Sequence, residues 1–218
     1  MSLRDELLGV EKPAPTAPTP YRLLCPAGWR RVPTSVLADE MAEAAVARFK
    51  EAGRPDLVLQ MRGMISQLRS ALRASRAFDA YLPPLIRGNP LPAVLTVAPF
   101  VRPADVSWDA AIRRLARNAP VDVPAFTETT MWRWTRDEQM DGEPGEPALR
   151  TRVRHYVVPV EGEADTRRAL HFVFTVMNLD GVSLPGEPAA PDAAAVTEVL
   201  LETGDVILST MRWMPPKA

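Results

Sequence analysis

Few residues in this chain could carry chemistry, and they stand far apart. Cys25 is the one thiol, and His155 and His171 are the two imidazoles. A nucleophile–base pair would need Cys25 to meet one of those histidines in space. Cys25 precedes Pro26 at the end of a strand-like segment, without the Gly-rich or helix-N-terminal setting that lowers a thiol pKa. It reads as a packed or edge thiol. His155 alternates with Val153 and Val157, so it shares a strand face with two apolar residues, and His171 alternates with Val173. Two such histidines could hold a metal, yet no third ligand stands at a recognisable spacing. Histidines satisfied by the sheet are the simpler reading, so no catalytic residue, metal ligand or cofactor is assigned.

Charge is patterned more clearly than catalysis. Arg150, Arg152 and Arg154 lie on one face of a strand, opposite Val153, His155 and Val157. If Trp132 and Trp134 share the arginine face, the result is an Arg–Trp surface suited to docking or stacking. If they face inward, they are core aromatics and the arginines are solvated or paired. A second row, Arg62, Arg69, Arg73 and Arg76, runs along a predicted helix a quarter turn from its apolar stripe. Asp137, Glu138, Asp141, Glu143 and Glu146 crowd one loop, but Pro144 and Pro147 interrupt any calcium-loop pattern. That loop reads as a solvated hairpin connection. Phosphate-binding glycine loops, GxSxG, HExxH and CxxC are all absent.

The elements that must position these residues are legible in outline. Residues 1–20 form a Pro-rich tail, with KPAPTAPTP as an extended linker. Tyr21 to Cys25 reads as a short strand, and AGWRRVP as its continuation or turn. A helix follows over 34–52, capped by Thr34 or Ser35 and stopped by Gly53. A second spans 55–78, where Leu57, Met61, Met64, Ile65, Leu68 and Leu72 keep one apolar stripe. Together they predict a helical hairpin. LPAVLTVAPFV, residues 91–101, is apolar on both faces and so an interior strand. Ser107 caps a short helix over 108–118. Three strands then follow in AFTETTMWRWTR, LRTRVRHYVVPV and RALHFVFTVMNL, joined by polar loops short enough for antiparallel neighbours. The last helix begins near Pro191 and keeps its period through Gly204 to Met211, a glycine that costs roughly 1 kcal/mol against alanine. The alternative is a break at Gly204 and a strand over 205–213.

The totals set the outer bounds. A chain of 218 residues with 46% hydrophobic and 24% charged residues can bury one sizeable core. The net charge of −1 gives no global drive toward nucleic acid or anionic membrane. Lysine occurs only at Lys12, Lys50 and Lys217, so 23 of the 26 basic residues are arginine. A GC-rich coding bias is the simpler explanation, ahead of a need for bidentate pairing. One cysteine excludes an intrachain disulfide and suits a reducing compartment. No signal-peptide pattern opens the chain and no apolar run is long enough to span a bilayer, so a cytoplasmic location is expected.

The order of elements resembles the PsbP/Mog-type α/β/α sandwich, including actinobacterial lipoproteins of the LpqN type. The residues that carry the resemblance are the Gly-Trp turn in PAGWRRVP, the later strand–helix pair, the three-strand meander and a closing helix ending STMRW. It covers roughly residues 21–214, apart from the hairpin 34–78, which would be an insertion. The resemblance implies a binding role, since proteins of this fold are mostly binding proteins, and it transfers no catalytic residues.

The expectation is therefore one α+β domain over 21–218, with a largely antiparallel sheet flanked by helices. Its expected role is that of a non-catalytic adaptor or chaperone-like accessory meeting a protein partner through the two arginine rows. One alternative is a binder of a small apolar or acidic ligand between sheet and hairpin. Another is an enzyme using His155 or His171. Neither nucleic acid nor membrane is expected as a partner, and the meander edge or the hairpin could pair two copies into a homodimer.

Overall fold

The computed structural model describes residues 20–37, 39–40, 69–70, 72–86, 89–140, 149–161, 166–178 and 193–214. The Pro-rich tail and most of the predicted hairpin lie outside them. The described strands are β1 (Tyr21–Arg22), β2 (Arg30–Pro33), β3 (Asp79–Leu82), β4 (Leu85–Ile86), β5 (Asn89–Pro90), β6 (Ala93–Val101), β7 (Trp132–Met140), β8 (Leu149–Pro159), β9 (Arg168–Asn178) and β10 (Arg212–Trp213). Two helices are fully described, α1 (Trp108–Ala116) and α2 (Ala193–Ser209).

Six strands form one sheet in the order β2-β3-β6-β9-β8-β7, every neighbouring pair antiparallel. The fold is α+β, as the order of the predicted elements implies. β6 lies inside the sheet between β3 and β9, which is why both of its faces are apolar. β1 and β10 pair separately and bring the first described strand beside the last. Sequence reading missed β3 and the short β4–β5 pair, and β3 matters most because it belongs to the main sheet. Its four residues, DAYL, fall where the helical stripe was expected to end.

Strand alternation sends side chains to two cores. On one face Tyr156, Phe172, Phe174, Leu95 and Val97 pack against Leu200, Leu201, Ile207 and Leu208 of α2. On the other, Trp134, Val157 and Ala169 pack against Ile112 and Ala116 of α1. Ser107 caps α1 by accepting from the Ala110 N–H at 3.3 Å, and Arg117 and Asn118 end it in the left-handed region. α2 runs without a break through Gly204 to Ser209, so the expected helix ends short of Met211. Of the alternative strand over 205–213, only Arg212–Trp213 is strand, as β10. An added Cβ at Gly204 would lie 3.0 Å from Phe174 Cγ and 3.2 Å from Tyr156 Oη. The glycine is thus a point of close approach between helix and sheet.

The span 34–78 leaves and re-enters the sheet at one place. Pro33 and Asp79 are register partners in the β2–β3 ladder, and the Thr34 N–H donates to the Phe78 carbonyl at 3.1 Å. Thr34 Oγ1 also donates to the Ala77 carbonyl at 2.6 Å. The described helical residues at its two ends, 34–37 and 72–75, root it through Leu37 and Leu72, which pack on Val32 and Ala80. A β2–β3 hairpin could close in two to five residues, so this span is an excursion the sheet does not need.

Candidate functional site

Three clusters hold the polar side chains of interest. The first is the histidine pair. The register pairs Trp134 with His155 and Val157 with His171, which puts all four on the α1 face of the sheet. The rings stack: Trp134 lies 4.9 Å from His155 at 11°, and His155 lies 5.3 Å from His171. His155 Nδ1 is 3.1 Å from His171 Nε2, and Arg136 Nη2 is 3.3 Å from His155 Nε2. A guanidinium can only donate, which assigns the tautomers. His155 accepts at Nε2, carries its proton at Nδ1 and donates it to His171 Nε2. Protonating either ring would set N–H against N–H. Burial, the neighbouring His171 and then the Arg136 charge push His155 down to about 3. Burial and then Arg136 push His171 down to about 4. Both are therefore neutral above those values and weak as bases. Among the described residues no group of three or more His, Cys, Asp or Glu could hold a metal ion.

The second cluster joins α2 to the opposite face. Asp205 Oδ2 accepts from Arg154 Nη1 at 2.7 Å and from Arg133 Nη1 at 2.9 Å, while Oδ1 accepts from the fully buried Tyr156 hydroxyl at 2.8 Å. Arg152 reaches Glu198 of the same helix at 2.5 Å. Two of the three strand arginines thus turn toward α2 rather than to an open surface. Trp132 and Trp134 lie on the other face, Trp134 buried and Trp132 stacked on Trp108 at 5.4 Å. The Arg–Trp surface does not form, because residues 132 and 134 share parity with 155 and 157 across the ladder, not with 152 and 154. The Arg150 side chain and all of Arg62 lie outside the described residues. On the insertion, Arg69, Arg73 and Arg76 are exposed. Arg69 pairs with Asp39, which ties the insertion's two described ends together. Arg76 sits at φ 55 and ends its helical turn.

The third cluster is a cleft of about 460 Å³ beside β1, β2, β3 and β10, lined by Tyr21, Arg22, Cys25, Trp29, Arg31 and Tyr81 among others. Beneath it the buried Asp79 accepts from the Tyr21 hydroxyl at 2.8 Å and from Arg31 Nη2 at 2.5 Å, and Tyr81 donates to the Tyr21 oxygen at 3.1 Å. Burial raises the Tyr21 and Tyr81 hydroxyls and the Cys25 thiol, so all three are protonated at neutral pH. Neither Cys25 nor Asp79 meets a histidine here. Sequence reading missed this site because Asp79 and Tyr81 belong to the unrecognised β3, and it missed Asp205 because the residue sits inside an apolar helical period. An aspartate beside a mid-helix glycine was the available signal.

No protein-family model matches the chain, and no curated protein matches it. A crystal structure from Bacteroides thetaiotaomicron aligns at 12% identity over 64% of this chain, with a TM-score of 0.36. The chain spans 39% of that protein's length. Among the described residues no helix is long and apolar enough to cross a membrane.

Proposed function

We propose that the protein is a non-catalytic binding protein, an adaptor or chaperone-like accessory, that meets a protein partner through the insertion between β2 and β3. The observation that carries this reading is the register pair Pro33–Asp79: residues 34–78 leave a ladder that needs no such excursion. A span kept outside the sheet's own requirements, with exposed Arg69 and Arg73 on its described part, is the kind of element that carries recognition. The two histidines point the same way, since rings held neutral down to about 3 and 4 serve packing better than proton transfer. The resemblance to PsbP/Mog-type proteins, mostly binders, adds a consistent analogy.

The test is a double charge reversal, Arg69→Glu with Arg73→Glu, beside Arg113→Glu at an exposed position of α1 as control. Arg69→Glu also removes the Arg69–Asp39 pair, but both partners are exposed. Such a pair contributes about 0–1 kcal/mol, so thermal unfolding should stay within a few degrees. Chromatography of the source organism's extract should show a stoichiometric complex that weakens with salt and disappears only in the double variant. A complex formed equally by all three proteins would remove the insertion from the reading.

A further inference from the structure

We infer that the cleft beside β1, β2 and β10 is a binding site for a small planar aromatic carboxylate, independent of any partner on the insertion. Its size falls in the range of ligand pockets. Its exposed lining is more polar than apolar, with Trp29, Leu23 and Met214 as its apolar side and the buried Tyr21 ring lying under Arg31. Tyr21 and Trp29 are themselves fixed, Tyr21 edge-on to Phe172 at 5.6 Å and Trp29 tilted against Phe174 at 6.1 Å. A flat ligand would meet the prepositioned Trp29 ring beside Arg31 and lose little entropy to ordering it.

Charge selects the anion. The lining holds two guanidiniums, Arg22 and Arg31, and no carboxylate. Asp79, buried under the floor, offsets one of them. One positive charge is left over, which suits a single carboxylate. Arg31 commits only Nη2 to Asp79, and its side chain is 54% exposed, so Nε and Nη1 can still donate. Its guanidinium also lies over the Tyr21 ring at 5.4 Å, which orients that donor edge beside the aromatic wall. Arg22 forms no ion pair with a described residue and is exposed. Pairing of a carboxylate with arginine is directional and bidentate, so ring and anion would be placed together.

Cys25 is the chain's one cysteine and lines this cleft, so it reports occupancy. The full chain is alkylated with neutral iodoacetamide at about pH 8.5, where a raised thiol still reacts, in the presence of 2-naphthoate, 2-naphthamide or acetate. The expected result is slowing by naphthoate alone, about tenfold at ten times its dissociation constant. Arg22→Gln, an exposed change that leaves Asp79 and Arg31 paired, should weaken that protection severalfold. Calorimetric titration with naphthoate reads the same binding without the thiol. An unchanged alkylation rate together with no heat at millimolar naphthoate overturns the site. Equal protection by naphthamide overturns the carboxylate assignment, and protection undiminished in Trp29→Leu overturns the aromatic wall.

Discussion

The neutral histidine relay makes the fold acid-sensitive in a way that can be separated from its carboxylates. His155 and His171 have folded pKa values of about 3 and about 4, against 6.5 for an unburied imidazole. Above 6.5 neither state binds these protons and the pair has no effect on stability with pH. Below 6.5 the unfolded chain takes up two protons that the native relay refuses, so stability falls with pH until the folded values are reached. Two pH units at about 1.4 kcal/mol each give roughly 2.5 kcal/mol per histidine by pH 4.5. His171 is partly exposed and keeps some hydration, so the pair should cost about 4 kcal/mol over this range. That is a large share of a typical domain's stability of roughly 5–15 kcal/mol. The assay is urea unfolding of wild type and of His155→Gln with His171→Gln, at pH 7 and at about pH 4.5. The variant loses the ring stack and should be weaker at neutral pH, yet its decline on acidification should be shallower by about 4 kcal/mol. Carboxylate titrations are common to both proteins and cancel in the comparison. Parallel declines would refute the relay, because they would mean the imidazoles protonate in the native state near their ordinary value.

Two further predictions concern the seam between α2 and the sheet. Asp205→Ala strips the acceptor from the buried Tyr156 hydroxyl and the carboxylate from Arg154, while Arg133 keeps its pair with Asp122, and should cost about 2–4 kcal/mol. Asp205→Asn, which keeps an acceptor for Tyr156, should cost clearly less, and an unchanged melting temperature for the alanine variant would show that the network contributes nothing. Gly204→Ala should destabilise by about 1 kcal/mol although alanine favours helix by a similar amount, because the new methyl meets Phe174 Cγ at 3.0 Å. A gain in thermal stability would mean that the Phe174 ring yields.

The parts of this fold that rest on short-range pattern were readable, and those that rest on pairing were not. Alternation identified the strands of the meander and put His155 opposite Arg152 and Arg154, because side-chain parity is local to one strand. Whether Trp132 and Trp134 join the histidines or the arginines depends on the β7–β8 register, which a twelve-residue sequence window does not fix. The same limit hid β3. Asp79, Ala80 and Tyr81 are two-thirds apolar and follow a helical stripe, and only pairing with β2 on one side and β6 on the other makes them a strand. The cleft shares that origin. Its residues come from segments at 21–31, 79–81 and 214, and β1–β10 pairing brings the outer two together. Gly204 was legible as a cost but not as a contact, since Phe174 and Tyr156 lie on other strands.

Alternation along β2 and β3 also separates the two proposed binding surfaces. Val32 and Ala80 point to the face where Leu37 and Leu72 root the insertion. Arg31, Asp79 and Tyr81, one residue away on the same strands, belong to the opposite face with Tyr21 and the cleft. A change at Arg69 or Arg73 therefore acts on one side of the ladder, and a change at Arg22 or Trp29 on the other. If the insertion alone binds, the first pair abolishes complex formation and the cleft variants leave it intact. If the cleft alone binds, naphthoate protection of Cys25 survives both insertion reversals. The shared strands are four residues long at one edge of the sheet, so a ligand drawing on Arg31 and a partner seated on the insertion would load the same short ladder from opposite faces. Any linkage between them would have to be reciprocal, with each binding event changing the other's affinity by the same factor.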